Sequence, residues 1–311
     1  MVGRRAPAGR ALTTEAGDPG LFGPDSEAWR FSREATLLLG AGPRALLLQV
    51  AHPSVAAGVA EHSNFREDPW RRLDGTLRSF LTIIYGSTRA ARAEIRRLNE
   101  LHRGITGVGY AARDPELSLW VHATLIESTI AVYGAWLEPL SRARRVRFYE
   151  ETKPLARAFG IPDGLLPVDF DAFEAYYAGM LADDGPVHPT PVARELAESI
   201  LRPPLGPLAK LAPDAVGKAV RPLLDLVPVE SYAWTLWPSV GLLPQGVREE
   251  YGLRWGPLER AVSRWLVTGW LAWRPLMPTS WRWMPQARAA DRRIGAGADS
   301  VQAREARAEQ L

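Results

Sequence analysis

Along most of this chain the apolar residues recur every three or four positions, which is the period of a buried helical face. No run of alternating polar and apolar residues marks a series of strands. That pattern sets sheet architectures aside and leaves helix packed on helix. The punctuation agrees with it. Ser26 begins a stretch that reads as helix to Val50, with Trp29, Ala35, Leu38 and Leu39 on its apolar face and a kink or break expected at Gly40–Pro43. His52-Pro53 starts another helix, because proline is tolerated in a first turn. Asp68-Pro69 caps a helix that carries Leu73, Leu77, Phe80, Leu81 and Ile84. Ser87 or Thr88 caps Arg89–Arg103, whose buried stripe is read as Ala91, Ile95, Leu98 and Leu101. Asp114-Pro115 opens a long helix to about Trp136, Ser141 caps Arg142–Phe159, and Asp169–Ala182 is amphipathic. Prolines between 186 and 213 predict short, broken helices, and Pro257–Pro275 is tryptophan-rich. The fold class is all-α: one multi-helix domain over residues 18–295, between a disordered lead (1–17) and a frayed tail (296–311). No internal repeat points to a solenoid.

At 311 residues, 46% hydrophobic and 23% charged, the composition is that of an ordinary globular protein. The 38 basic and 35 acidic residues are interleaved, so no nucleic-acid partner is expected. Cysteine is absent, which excludes disulfides, thiolate haem ligation, cysteine-held clusters and thiolate zinc sites. Any metal or cofactor must be held by imidazole, carboxylate or hydroxyl. The first residues carry Arg4, Arg5 and Arg10 but no apolar export core, and no uncharged run reaches the length of a membrane span. A cytoplasmic protein is the expectation.

Four of the five histidines, His52, His62, His102 and His122, fall between residues 52 and 122. His102 follows Ile95 by seven residues and Leu98 by four, so it continues a buried stripe, where both its nitrogens need partners. His122 lies on the next helix, in an apolar run, and consecutive helices pack as antiparallel neighbours. His52, at a helix entrance, is disfavoured as a cation and suits the role of acceptor, base or ligand; its plainer role is that of a cap. His62 reads as a surface residue at a helix end. Arg72 and Thr76, spaced four apart, share a helix face near the edge of the core and are candidates to hold a propionate or polarise oxygen, unless the arginine is simply solvated. The residues three before His52, His102 and His122 are Gln49, Asn99 and Leu119, so the Glu-x-x-His pairs of a di-iron centre are missing. Zinc-protease, covalent-haem and serine-hydrolase motifs are missing too. A non-covalent haem on one imidazole stays compatible.

Several segments together resemble a known family. Gly17-Asp18-Pro19-Gly20-Leu21-Phe22-Gly23-Pro24, Leu48-Gln49-Val50-Ala51-His52-Pro53, Gly58-Val59, His62-Ser63, Arg72-Leu73 with Thr76, Leu101-His102-Arg103, Trp120-Val121-His122-Ala123-Thr124, Leu242-Leu243-Pro244 and Tyr251-Gly252-Leu253 are similar to a large bacterial family. That family is grouped with the latex-clearing rubber oxygenases and the membrane-bound oxygenase of mycophenolic acid biosynthesis. The resemblance implies a globin-like helical core around one b-type haem, with dioxygen and an apolar, isoprenoid-like molecule as partners. It puts His102 at the proximal iron ligand, with Arg72 and Thr76 on the opposite side. The rubber oxygenases place a lysine directly before the threonine; here that residue is Gly75. His52 stands in as the distal catalytic candidate, and His122 as a cofactor-pocket residue. The alternative is a haem or apolar-ligand carrier without turnover. Trp265, Trp270, Trp273, Trp281 and Trp283, with nearby arginines, are either core or the anchor of a peripheral membrane contact. The sequence leaves the oligomeric state open.

Overall fold

The computed structural model describes residues 16–62, 69–202, 218–219, 221–222 and 233–295; at 69–73 and 233 it describes backbone only. The caps expected from the sequence start the helices. Ser26 accepts from the Trp29 N–H at the head of α1 (Glu27–Ser32). Ser87, rather than Thr88, accepts from Ala90 at the head of α5 (Thr88–Arg103). Asp114 opens α6 (Pro115–Trp136), Ser141 opens α7 (Arg142–Ala158) and Asp169 opens α8 (Phe170–Met180). Each side-chain oxygen satisfies an N–H that the first turn leaves without a partner. Between these lie α2 (Ala35–Ala51), α3 (Pro53–His62) and α4 (Pro69–Tyr85). Beyond them come α9 (Pro191–Leu201), α10 (Trp237–Gly241), α11 (Gln245–Glu250), α12 (Pro257–Trp273), α13 (Thr279–Arg282) and a helix over 285–295. The described strands are two, β1 (Thr106–Gly107) and β2 (Tyr110–Ala111), an antiparallel hairpin with Thr106 opposite Ala111. The chain is all-α, as its periodicity requires. Asp68, residues 1–15 of the lead expected at 1–17, and the tail expected at 296–311 lie outside the described residues.

Of the kink or break expected at Gly40–Pro43, the break does not occur: α2 runs through it, with Pro43 inside the helix. The chain turns instead at Arg33–Glu34. There the buried Glu34 accepts from Arg274 at 2.9 Å and bridges to Trp283 through its backbone. Gly40 has a different role, since any Cβ there would collide with the Trp136 ring. The missing side chain lets α2 and α6 approach along most of their length, and their packing forms the centre of the molecule. One side of this pair buries Leu37, Ile126, Ile130 and Tyr133 with Phe148, Tyr149 and Phe173 of α7 and α8. The other buries Leu47, Leu48 and Trp120 with Leu196 and Ile200 of α9 and Val240, Leu243 and Val247. A third cluster joins Trp29, Leu81, Ile84 and Tyr85 to Met284, Ala287 and Ala290.

An ion pair built on a buried arginine crosses the α2–α6 contact. Arg44, 2% exposed, donates to the Glu127 carboxylate, to Ser128 Oγ at 2.8 Å and to the Leu242 carbonyl at 2.8 Å. Removing Glu127 would leave the Arg44 guanidinium buried without its counter-charge, a loss that in fully buried pairs typically costs about 3–5 kcal/mol.

Two expected faces are corrected. Leu39 and Leu101 are exposed, at 51% and 55%. Leu101 is six residues past Ile95, about 240° around the helix, so it turns away from the stripe that Ala91, Ile95, Leu98 and His102 form.

Candidate functional site

The turn between α4 and α5 is held by the N-terminal loop. Asp18 accepts from the Thr88 backbone N–H at 2.9 Å and from its hydroxyl at 2.8 Å. Gly20 has φ +76°, and a Cβ there would press on the Gly86 carbonyl, so this loop needs glycine. Arg97 on α5 then donates to Ser79 on α4 at 3.1 Å, which fixes the register of the antiparallel pair. Going from Ser79 towards the start of α4 and from Arg97 towards the end of α5 leads the same way. At 1.5 Å per residue, the Arg72 backbone lies about 10 Å and His102 about 8 Å below that contact. The two therefore share the end of the helix pair remote from its turn. His102 is half-buried in the last turn of α5. The Arg72 side chain lies outside the described residues. Thr76 faces outward and is exposed, so it sits on the solvent side of α4. The groove between α4 and α5, about 450 Å³ and lined by Asp74, Gly75, Arg78, Ser79, Thr82, Glu94 and Arg97, is polar and internally paired.

The hairpin carries the chain from His102 to α6 and is pinned to α3. Tyr110 donates to the Glu61 carboxylate at 2.7 Å, and the His62 ring N–H donates to the Thr106 carbonyl at 3.0 Å. A Cβ at Gly58 would meet the Tyr110 ring at 3.2 Å, so the ring lies close against α3. His62 is thus a surface strut of the loop between the two histidine-bearing helices, consistent with its expected place at a helix end. Nothing in the sequence singled out Tyr110 or Glu61.

His52 stands at the joint of α2 and α3. Its Nδ1 accepts from the Ser54 backbone N–H at 3.2 Å, which caps α3. Burial lowers its pKa, and the nearby Asp114 opposes this more weakly. The ring is therefore neutral, and with Nδ1 already accepting, the proton resides on Nε2. His52 presents a donor, which narrows the sequence expectation of acceptor, base or ligand. Through Asp114 it also neighbours the first turn of α6.

His122 lies in the second turn of α6. Its Nε2 is shut off from solvent and has no hydrogen-bond partner among the described residues. Burial alone pushes its pKa down to about 4, so the ring is neutral. A buried imidazole nitrogen with nothing to bond is costly by about 1–3 kcal/mol unless a ligand completes it. The fifth histidine, His188, pairs with Glu250 at 3.1 Å, far along the chain from the others.

Among the described residues no three His, Asp or Glu side chains converge as a metal-ion site. Burial keeps the imidazoles of His52 and His122 neutral, the form in which a ring nitrogen can serve as a ligand.

Residues 29–273 match the family model described as ER-bound oxygenase mpaB/B'/rubber oxygenase, catalytic domain. An uncharacterised protein of Mycobacterium bovis and another of Mycobacterium tuberculosis are each 30% identical over 161 residues, covering 49% of this chain and 62% of theirs. The chain thus spans under two thirds of the length of those relatives. No solved structure matches it.

Proposed function

The chain belongs to the family of mpaB and rubber oxygenase catalytic domains, and from that membership we propose that it is a haem-b-dependent oxygenase using dioxygen on an apolar, isoprenoid-like small molecule. The observation that carries the reading is the extent of the match. It runs from Trp29 in α1 to Trp273, the last residue of α12, and so includes every candidate residue. The chain has no thiol, and its interior imidazoles at positions 52 and 122 are neutral, the form that binds iron or donates one hydrogen bond.

A b-type haem, when bound, supplies the redox chemistry with dioxygen that no side chain can. His102 would hold it through one ring nitrogen. Arg72, at the same end of the α4–α5 pair, would hold a propionate or orient oxygen through its planar donors. His52 would donate from Nε2, its ring held in place by the bond from Ser54. His122 would give its unpaired Nε2 to the pocket. Thr76, being exposed, would need substrate or cofactor to approach from outside α4.

The test is a visible spectrum of protein loaded with haemin. A Soret band is expected, lost or strongly shifted in His102→Ala and restored by added imidazole. Dioxygen uptake with an isoprenoid alcohol should follow the same order. No Soret band, or one indifferent to His102→Ala, would defeat the haem assignment. A normal band without substrate-dependent uptake would favour a carrier.

A further inference from the structure

The five tryptophans of residues 265–283 divide sharply. Trp270 and Trp283 are half-buried, and Arg33 lies 4.2 Å over the Trp283 ring. Trp265, Trp273 and Trp281 stand out of the molecule at 69%, 68% and 75% exposure. Leu258 lies on the same face of α12 as Trp265 and Trp273, and Leu276 is exposed in the turn that follows, so α12, that turn and α13 carry a run of exposed apolar side chains. Beside α12 a cleft of about 440 Å³ is walled by Trp234, Trp237, Leu258, Val262 and Trp265. Large exposed apolar side chains gathered on one stretch of a folded domain mark an interaction surface.

Charge identifies the occupant. Between residues 257 and 290 the charged side chains are Arg260, Arg264, Arg274, Arg282, Arg288 and a single acid, Glu259. That acid bonds the Gly256 N–H at 2.8 Å as the helix cap. Arg260 and Arg264 are exposed on α12 and Arg282 beside Trp281 is half-buried, whereas Arg274 is held inward by the buried Glu34 at 2.9 Å. A second copy meeting this strip symmetrically would bring arginine against arginine. An anionic bilayer supplies both halves of the match: phosphate oxygens for the guanidinium donors and an interfacial zone for indole rings.

We propose that the α12–α13 face docks peripherally on anionic phospholipid, with Trp265, Trp273 and Trp281 at the headgroup–acyl boundary and the exposed Arg260 and Arg264 on phosphate. No described helix is long and apolar enough to cross a membrane, so the contact is lateral. The proposal is independent of the haem reading.

The test uses the full chain with vesicles of equal parts phosphatidylcholine and phosphatidylglycerol, against phosphatidylcholine alone. Sedimentation and a blue shift of tryptophan emission are expected with the anionic vesicles and not with the neutral ones. Arg264→Glu should weaken partitioning at least roughly fivefold, and Arg264→Lys should retain it. Trp265→Ser combined with Trp281→Ser should weaken it roughly tenfold or more. Arg264, Trp265 and Trp281 are exposed, so far-UV circular dichroism should stay unchanged in these variants, and His102→Ala should bind vesicles normally. Equal binding to both vesicle types, binding indifferent to the variants, or no binding at all overturns the proposal. So does self-association that Trp265→Ser abolishes, which would assign the strip to a second copy.

Discussion

An imidazole kept neutral inside the protein ties stability to acid, and His122 is the clearest case. In the unfolded chain it takes a proton near pH 6.5; in the folded chain it resists until about 4. Above pH 6.5 both states are neutral there and the folded state has no penalty. As pH falls below 6.5 the unfolded state binds a proton that the folded state refuses, so stability is lost progressively down to about pH 4. The slope is about 1.4 kcal/mol per pH unit, roughly 3 kcal/mol in all. His52, lowered by burial in the same direction, adds to the trend. Urea unfolding at a series of pH values should show this loss, and His122→Phe should flatten it; an unchanged slope would assign the acid sensitivity elsewhere. The inward ring of His122 was legible because its neighbours are apolar. The Tyr110–Glu61 clamp was not, because 49 residues separate the partners and a two-residue strand leaves no period to read.

Helices were legible from the sequence wherever a cap and an apolar period coincide, as at Ser87, Asp114, Ser141 and Asp169. What could not be read was the use made of special residues inside them. Gly40 resembled a break and is a contact; the turn at Glu34 resembled helix and is a corner fixed by Arg274, 240 residues away. The Arg44–Glu127 pair did leave a trace: each is the single charge in a long uncharged stretch of its helix, and the signs are opposite. Paired glycine substitutions separate contact from propensity on the α2–α6 pair. Gly40→Ala forces a methyl into the Trp136 ring and should destabilise by about 1–3 kcal/mol. Gly134→Ala, in α6, meets nothing within 4 Å and should stabilise by about 0.4–1 kcal/mol through helix propensity. Chemical denaturation should give opposite signs; equal effects would mean that the close approach at Gly40 has no energetic weight.

For the whole molecule, the all-α class followed from one period, whereas the way the ends close on the middle did not, since tertiary pairing carries no periodic mark. The family match stops at Trp273, yet the packing continues. Met284, Ala287 and Ala290 complete the cluster around Trp29, Leu81 and Tyr85, and Arg293, 5% exposed, donates to the carbonyls of Asp18 and Tyr85 at 2.9 and 2.8 Å. This knot holds the α4–α5 turn, and the opposite end of that helix pair carries Arg72 and His102. Arg293→Ala leaves buried carbonyls without donors, at about 1–3 kcal/mol, and should lower the melting temperature by several degrees. A chain ended after Trp273 loses the cluster as well. It should unfold with reduced cooperativity, and α4 should become the segment fastest in hydrogen exchange. If the α4–α5 pair presents the haem ligand, haemin affinity should fall in Arg293→Ala although no residue near His102 has changed. A truncated chain that keeps both its melting temperature and the exchange protection of α4 would show that the matched stretch stands alone and that the closing contacts are incidental.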